Sequence, residues 1–310
     1  MKVSRIEISG LEIIGPNDDI TYGEAMENRL IKSNKFVGRG IVAWSGNNIR
    51  IHKNKVHHCP HSGIRVDKGD YIAIEHNEVF SNTWWGSSAE SAVVIAEATD
   101  IDHYSWTKIF LLSNRVYDNR NFIPFYNENA VDGDHDRPDY GTEEQTYIID
   151  GSGVYVTRNS DTYKHGRMRL NHNKAYNNGI NGLVVHKTDR AEVVGNVLWD
   201  NGQVPKSAPE SRQPYAGLTV NTADTVEVRE NYVKTELHQD YAYMAFSSNH
   251  VTGDTNWVGL PVEGHCNAEV FSLQNCKVAP EDGTGYGKVH SKFQSMVSHA
   301  TWKECEEAQS

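Results

Sequence analysis

Residues 167–198 read RMRLNHNKAYNNGINGLVVHKTDRAEVVGNVL, and the spacing inside this stretch decides the fold. Two alternating runs, RMRLNHN and AEVVGN, each end in an asparagine, and Asn173 and Asn196 stand 23 residues apart. Between them lies a short strand that opens on a small residue, GLVVHK from Gly182 to Lys187. Alternation with period two puts Leu183 and Val185 on one face and Val184 and His186 on the other.

Both patterns recur along the chain. Asparagine-terminated runs end at Asn54, Asn77, Asn114, Asn173, Asn196 and Asn231. Short strands open at Gly40, Gly63, Ala92, Gly153, Gly182 and Gly217, giving GIVAWS, GIRVDK, AVVIAE, GVYVTR, GLVVHK and GLTVNT. Antiparallel hairpins require tight-turn signals between successive runs, and only Asn181-Gly182 fits, where it opens a run. The repeated order fits an all-β coil whose turns stack in parallel, each burying its inner face only against its neighbours. Six asparagines in phase suit an internal ladder, each amide bonding the equivalent turn above and below.

This predicts one solenoid over residues 1–233 and a C-terminal extension over residues 234–310 that packs on or caps it, a single domain overall. The final stretch, SKFQSMVSHATWKECEEA, spaces Phe293, Met296, Val297 and Trp302 on one helical face, a short capping helix. The excursion from Asn119 to Gly153 is too long for an ordinary connection, so it is expected to wall a groove. Part of it, Phe122 to Tyr126, reads as a further strand. Trp84, Trp85, Tyr104 and Trp106 on another long connection offer a surface for sugar rings.

Charge limits the partners. Thirty Lys and Arg against 41 Asp and Glu give a net charge of −11, which disfavours nucleic acid and anionic membranes. A local basic groove still holds an anion, because charges farther apart than about 8 Å are screened at physiological salt. No apolar run reaches the length of a membrane span. Alternation begins at the third residue with no apolar leader, so the expectation is a secreted protein whose leader lies outside this sequence. Export would permit disulfides among Cys59, Cys266, Cys276 and Cys305, with no pairing set by sequence. The cluster His57, His58, Cys59, His61 has metal-ligand residue types, but it sits at a turn and lacks a second cluster, so its expected role is structural. One of the adjacent pair, His57 or His58, is placed facing the groove near Lys68.

Stacking turns positions into columns. Counted from the opening small residue, the third position (Val42, Arg65, Val94, Tyr155, Val184, Thr219) and the fifth (Trp44, Asp67, Ala96, Thr157, His186, Asn221) point outward. The sixth (Ser45, Lys68, Glu97, Arg158, Lys187, Thr222) lies at the strand exit. A lysine at a strand end is ordinarily solvated; Lys187 beside Arg158, with Tyr155 and His186 next to them, is a concentration of chemistry. Asp67 and Glu97 have the spacing of hydrolase carboxylates, but basic Arg65 and Lys68 beside them favour ion pairs.

The segments GRGIVAWSGNNIRIHKNKVHHCPHSGIRVDKGDY, NRVYDNRNFIPFYNE, IIDGSGVYVTRN and NGLVVHKTDRAEVVGN resemble the alginate lyases of polysaccharide lyase family 31. The resemblance covers Lys2 to Val233 and implies a right-handed parallel β-helix. It implies cleavage of mannuronate-containing alginate by β-elimination, leaving 4,5-unsaturated uronate ends. In that reading Tyr155 and Lys187 are catalytic, Tyr155 as acid/base and Lys187 as base or carboxylate neutraliser, with Tyr126, Tyr147 and Tyr163 as other tyrosines near in sequence. Arg158 clamps the substrate, and His186, Lys68, Arg65, Arg120 and Tyr126 complete its binding set. The partner is an anionic polysaccharide, alginate or a related polyuronate, acted on by a monomer. No cofactor is expected: the Lys and Arg pattern of calcium-dependent, chondroitinase-like β-helical lyases is absent, and no residue calls for calcium. Two alternatives remain. One is a mannuronan C5-epimerase, whose Asp-Pro-His-Asp motif has only Gly133-Asp134-His135-Asp136 as a counterpart here. The other is a non-catalytic carbohydrate-binding solenoid.

Overall fold

The computed structural model describes residues 4–29, 34–88, 90–125, 148–204, 215–234, 241–254, 256–259 and 271–274. Its strands fall into three parallel sheets, each of eight strands among the described residues. Successive strands of the chain go to the first, second and third sheet in turn, so each circuit is one turn of a coil. Residues Arg167–Asn171, Lys174–Tyr176 and Leu183–His186 make one such turn.

The columns inside the coil follow the alternation. Ile72, Ile74, Ile109, Leu111, Met168 and Leu170 come from the first sheet. Val79, Val116, Ala175 and Leu198 come from the second; Val154, Val156, Leu183 and Val185 come from the third. All are buried in one continuous core.

Polar backbone at the corners would be stranded without partners, and asparagines supply them. At the corner between first and second sheets, Asn77 Oδ1 accepts from the backbone and side-chain nitrogens of Asn54, both at 3.0 Å. The same pattern repeats through Asn114, Asn173, Asn196 and Asn231. All six predicted asparagines are in this ladder, and Asn256 extends it. A second ladder, Asn82, Asn119, Asn178 and Asn201, runs up the next corner. It explains the small opening residues of the third sheet: a Cβ on Gly182 would lie 2.7 Å from Asn201 Nδ2, and one on Gly153 would lie 2.9 Å from Asn178 Nδ2.

Two expectations change. The repeat does not stop at Val233: Tyr241–Phe246, Asn249–Asp254, Trp257–Gly259 and Phe271–Gln274 stack on the three sheets. Residues 122–125 form no strand. Instead Phe122 and Ile123 join Trp84, Trp85, Ile20 and Phe36 in a second apolar cluster. Trp85 is buried and donates its indole N–H to the Asn17 carbonyl, so these tryptophans pack the shoulder of the coil rather than face a sugar. Tyr104 and Trp106 do remain exposed, stacked at 4.1 Å. The proposed capping helix, Cys266, Cys276 and Cys305, Tyr126, Tyr147 and residues 133–136 lie outside the described residues; Cys59 is buried in the core and forms no disulfide among the described residues.

Candidate active site on the third sheet

Strands Val154–Thr157 and Leu183–His186 are neighbours in register, with Tyr155 beside Val184 and Thr157 beside His186. Alternation therefore sends Tyr155, Thr157 and His186 out of the same face. The Tyr155 hydroxyl lies 3.1 Å from His186 Nδ1, and Thr157 Oγ1 lies 2.9 Å from the same nitrogen. The Tyr155 and His186 rings meet edge-on, 6.0 Å between centroids and 78° between planes.

Burial, then the Lys187 and Arg158 charges, push the His186 imidazole from its ordinary 6.5 down to about 4. At neutral pH the ring is uncharged and has one N–H, which it can place on Nδ1 toward the tyrosine oxygen. The consequence for stability has a definite sign. Because the folded pKa is depressed, the unfolded chain binds more protons between pH 4 and 6.5. This contribution to stability is intact above that window and falls as pH drops through it. His186→Gln should remove that slope, read as denaturant midpoints measured across the window; an unchanged slope would show that His186 does not titrate this way.

The sixth column is the corner from the third sheet to the first. Ser45, Lys68, Glu97, Arg158, Lys187, Thr222 and Ser247 all have positive φ there. The left-handed conformation belongs to the corner in every turn, so at Lys187 it is architecture rather than local strain. Along this corner the Glu97 carboxylate forms ion pairs with Lys68 at 3.5 Å and with Arg158 at 3.3 Å. Lys187, one turn further, is exposed and makes no ion pair among the described residues. One carboxylate among three cations leaves this edge positive on a protein whose net charge is −11.

Other predicted site residues stand elsewhere. Arg65 is not a groove cation. It forms a fork on Asp67, at 2.7 and 2.8 Å, and contacts Glu90 at 3.4 Å. Buried Glu90 also takes Arg39 and Ser62, and His61 stands 3.5 Å away. Val94, Ala96, Val184 and Thr219 are also buried, not exposed as the alternation alone implies. Arg120 sits at the opposite corner, where the second sheet hands over to the third, its backbone against Gly151 and Gly179. Tyr163 is buried and donates to Asp70. Its partner network is a fully buried Lys108 held by Asp70 at 2.8 Å, Asp100 at 2.9 Å and Asp102 at 3.1 Å, a satisfied structural cluster.

His57 stacks on Phe80 at 4.6 Å and approaches Glu12, while His58 approaches Asp18. Neither histidine faces Lys68. No group of three or more His, Cys, Asp or Glu among the described residues has metal-binding geometry. Thr157 was not singled out from the sequence, yet it shares the site nitrogen. Its signal was available as the column neighbour of His186.

Parallel strands coiled in three sheets, with asparagine ladders at the corners, define a parallel β-helix protein. The chain belongs to the right-handed β-helix family, matching the description "Right handed beta helix region" over residues 3–233. No curated protein sequence matches it. Among solved structures it is similar to the A-module of the Azotobacter vinelandii mannuronan C-5 epimerase AlgE4, at 10% identity and a TM-score of 0.46, covering 90% of this chain and 71% of that one. It is also similar to the AlgE6 A-module from the same organism, at 13% identity and a TM-score of 0.38, covering 76% of this chain and 59% of that one.

Proposed function

We propose that this protein is a polysaccharide lyase that cleaves a polyuronate, with mannuronate-containing alginate as the leading substrate, by β-elimination at Tyr155. The observation that carries the reading is the convergence of the Tyr155 and Thr157 hydroxyls on one nitrogen of an uncharged His186, beside a corner rich in cations. The family 31 resemblance of the same strands agrees with it.

The chemistry follows from the groups present. A uronate C5 proton leaves only when the adjacent carboxylate charge is offset, which Lys187 and Arg158 do. Those cations and an Nδ1–H from His186 also favour the Tyr155 phenolate. The phenolate takes the C5 proton, and the C–H electron pair becomes the C4=C5 double bond. The C4–O4 bond breaks with its pair on oxygen, and Tyr155 returns the proton to that oxygen, regenerating the phenolate. None of these steps draws on a metal. Arg158 must exchange part of its contact with Glu97 for the substrate, a small cost at an exposed ion pair.

A panel of polymannuronate, polyguluronate and polygalacturonate, followed by ultraviolet absorbance of new unsaturated ends, tests the proposal. The expected result is absorbance with at least one polymer, strongest with polymannuronate. No absorbance with any of them would refute it.

A further inference from the structure

The fifth column does not end at the site. From His186 it passes through Thr157, Ala96 and Asp67 to Trp44, four strand steps and about 19 Å at the spacing of neighbouring strands. Trp44 is 63% exposed, and Val42 on the same strand face is 51% exposed. The Lys68 ammonium lies 5.1 Å from the Trp44 ring centroid. Lys68 is also the first cation of the corner column that runs through Glu97 and Arg158 to Lys187, so indole and active site lie along one cationic edge.

A hexuronate ring has one face of C–H groups and one carboxylate. An exposed indole offers a surface for the first, and an adjacent ammonium offers a partner for the second. Each sugar of an extended 1→4 chain advances about as far as one strand step. A chain with its scissile bond at Tyr155 and Lys187, lying along this edge, therefore reaches Trp44 about four sugars away. We propose that Trp44 and Lys68 form a distal uronate subsite through which the protein selects long chains. This rests on the reading of the Tyr155–His186 site given above.

The test compares kcat/KM for mannuronate octamers and trimers. In Trp44→Ala, and separately in Lys68→Ala, the octamer-to-trimer ratio should fall about tenfold, the effect of one lost contact. Trp44→Phe, which keeps an aromatic face, should restore most of it. An unchanged ratio in an active Trp44→Ala variant would overturn the subsite while leaving the lyase reading intact. A wild-type protein inactive on every length would overturn both. Sedimentation of wild type and Trp44→Ala covers the other occupant: a dimer lost in the variant would assign this face to self-association and overturn the subsite.

Discussion

Tyr155→Phe is expected to lower kcat on polymannuronate by a factor of about 10²–10⁴, the usual contribution of a positioned acid/base group. The substitution removes one oxygen and keeps the ring that packs edge-on to His186. Stability should therefore drop only by about 1 kcal/mol, the value of one ordinary hydrogen bond. Steady-state rates on folded protein, with melting curves as the control, separate the two effects. Thr157→Val tests the supporting contact: it removes the second hydroxyl on Nδ1 without touching the proposed base, so its loss of rate should be clearly smaller. A Tyr155→Phe protein with full activity would rule out the phenol.

The largest effect on stability should come from the ladder. Asn173 Oδ1 accepts from the backbone and side-chain nitrogens of Asn114, both at 3.0 Å, and its Nδ2 donates to the Leu111 carbonyl at 2.9 Å. Asn173→Ala takes this partner from the Asn114 backbone N–H and the Leu111 carbonyl in a dry corner, each at a cost of about 1–3 kcal/mol before relaxation, and leaves Asn114 Nδ2 only its bond to the Ile74 carbonyl. The expected loss is roughly 3–5 kcal/mol, a large share of the stability of a typical domain. Asn173→Asp should not rescue it, because a carboxylate still accepts from Asn114 but cannot donate to Leu111 or Asn196. Lys174→Ala, at the exposed neighbour, should change stability by no more than about 0.5 kcal/mol. Denaturant midpoints for the three variants decide it.

The ladder also shows how far the sequence could be read. Each first-corner asparagine follows a run long enough to alternate visibly, so the column was legible. The second column stands five positions later, at Asn82, Asn119, Asn178 and Asn201, and was missed. The strands between the two columns, such as Glu78–Phe80 and Lys174–Tyr176, have only three residues and show no period. The later turns escaped for a related reason. Tyr241–Phe246 opens on Ala242 beside Gly217 but sends the aromatic Tyr243 into the core in place of an aliphatic residue, and Asn256 continues the ladder.

At the site, local register was readable and long-range cover was not. The placement of Tyr155, Thr157 and His186 on one face follows from alternation and stacking alone. That Arg65 is withdrawn into an ion-pair network depends on Glu90, which is 25 residues away and folds over the face of its strand. Likewise, the burial of Val94 and Val184 reflects what packs on the outward face, which no period in a strand encodes. The corner cations were visible as a column, whereas their sharing of Glu97 was not.

β-Elimination at Tyr155 leaves a product that neither epimerisation nor binding makes. Proton NMR of polymannuronate after incubation with the wild-type protein should show the vinylic H4 signal of new 4,5-unsaturated chain ends. Chains of unchanged length with guluronate formed in place of mannuronate, or a polymer bound but chemically untouched, would contradict β-elimination at this site.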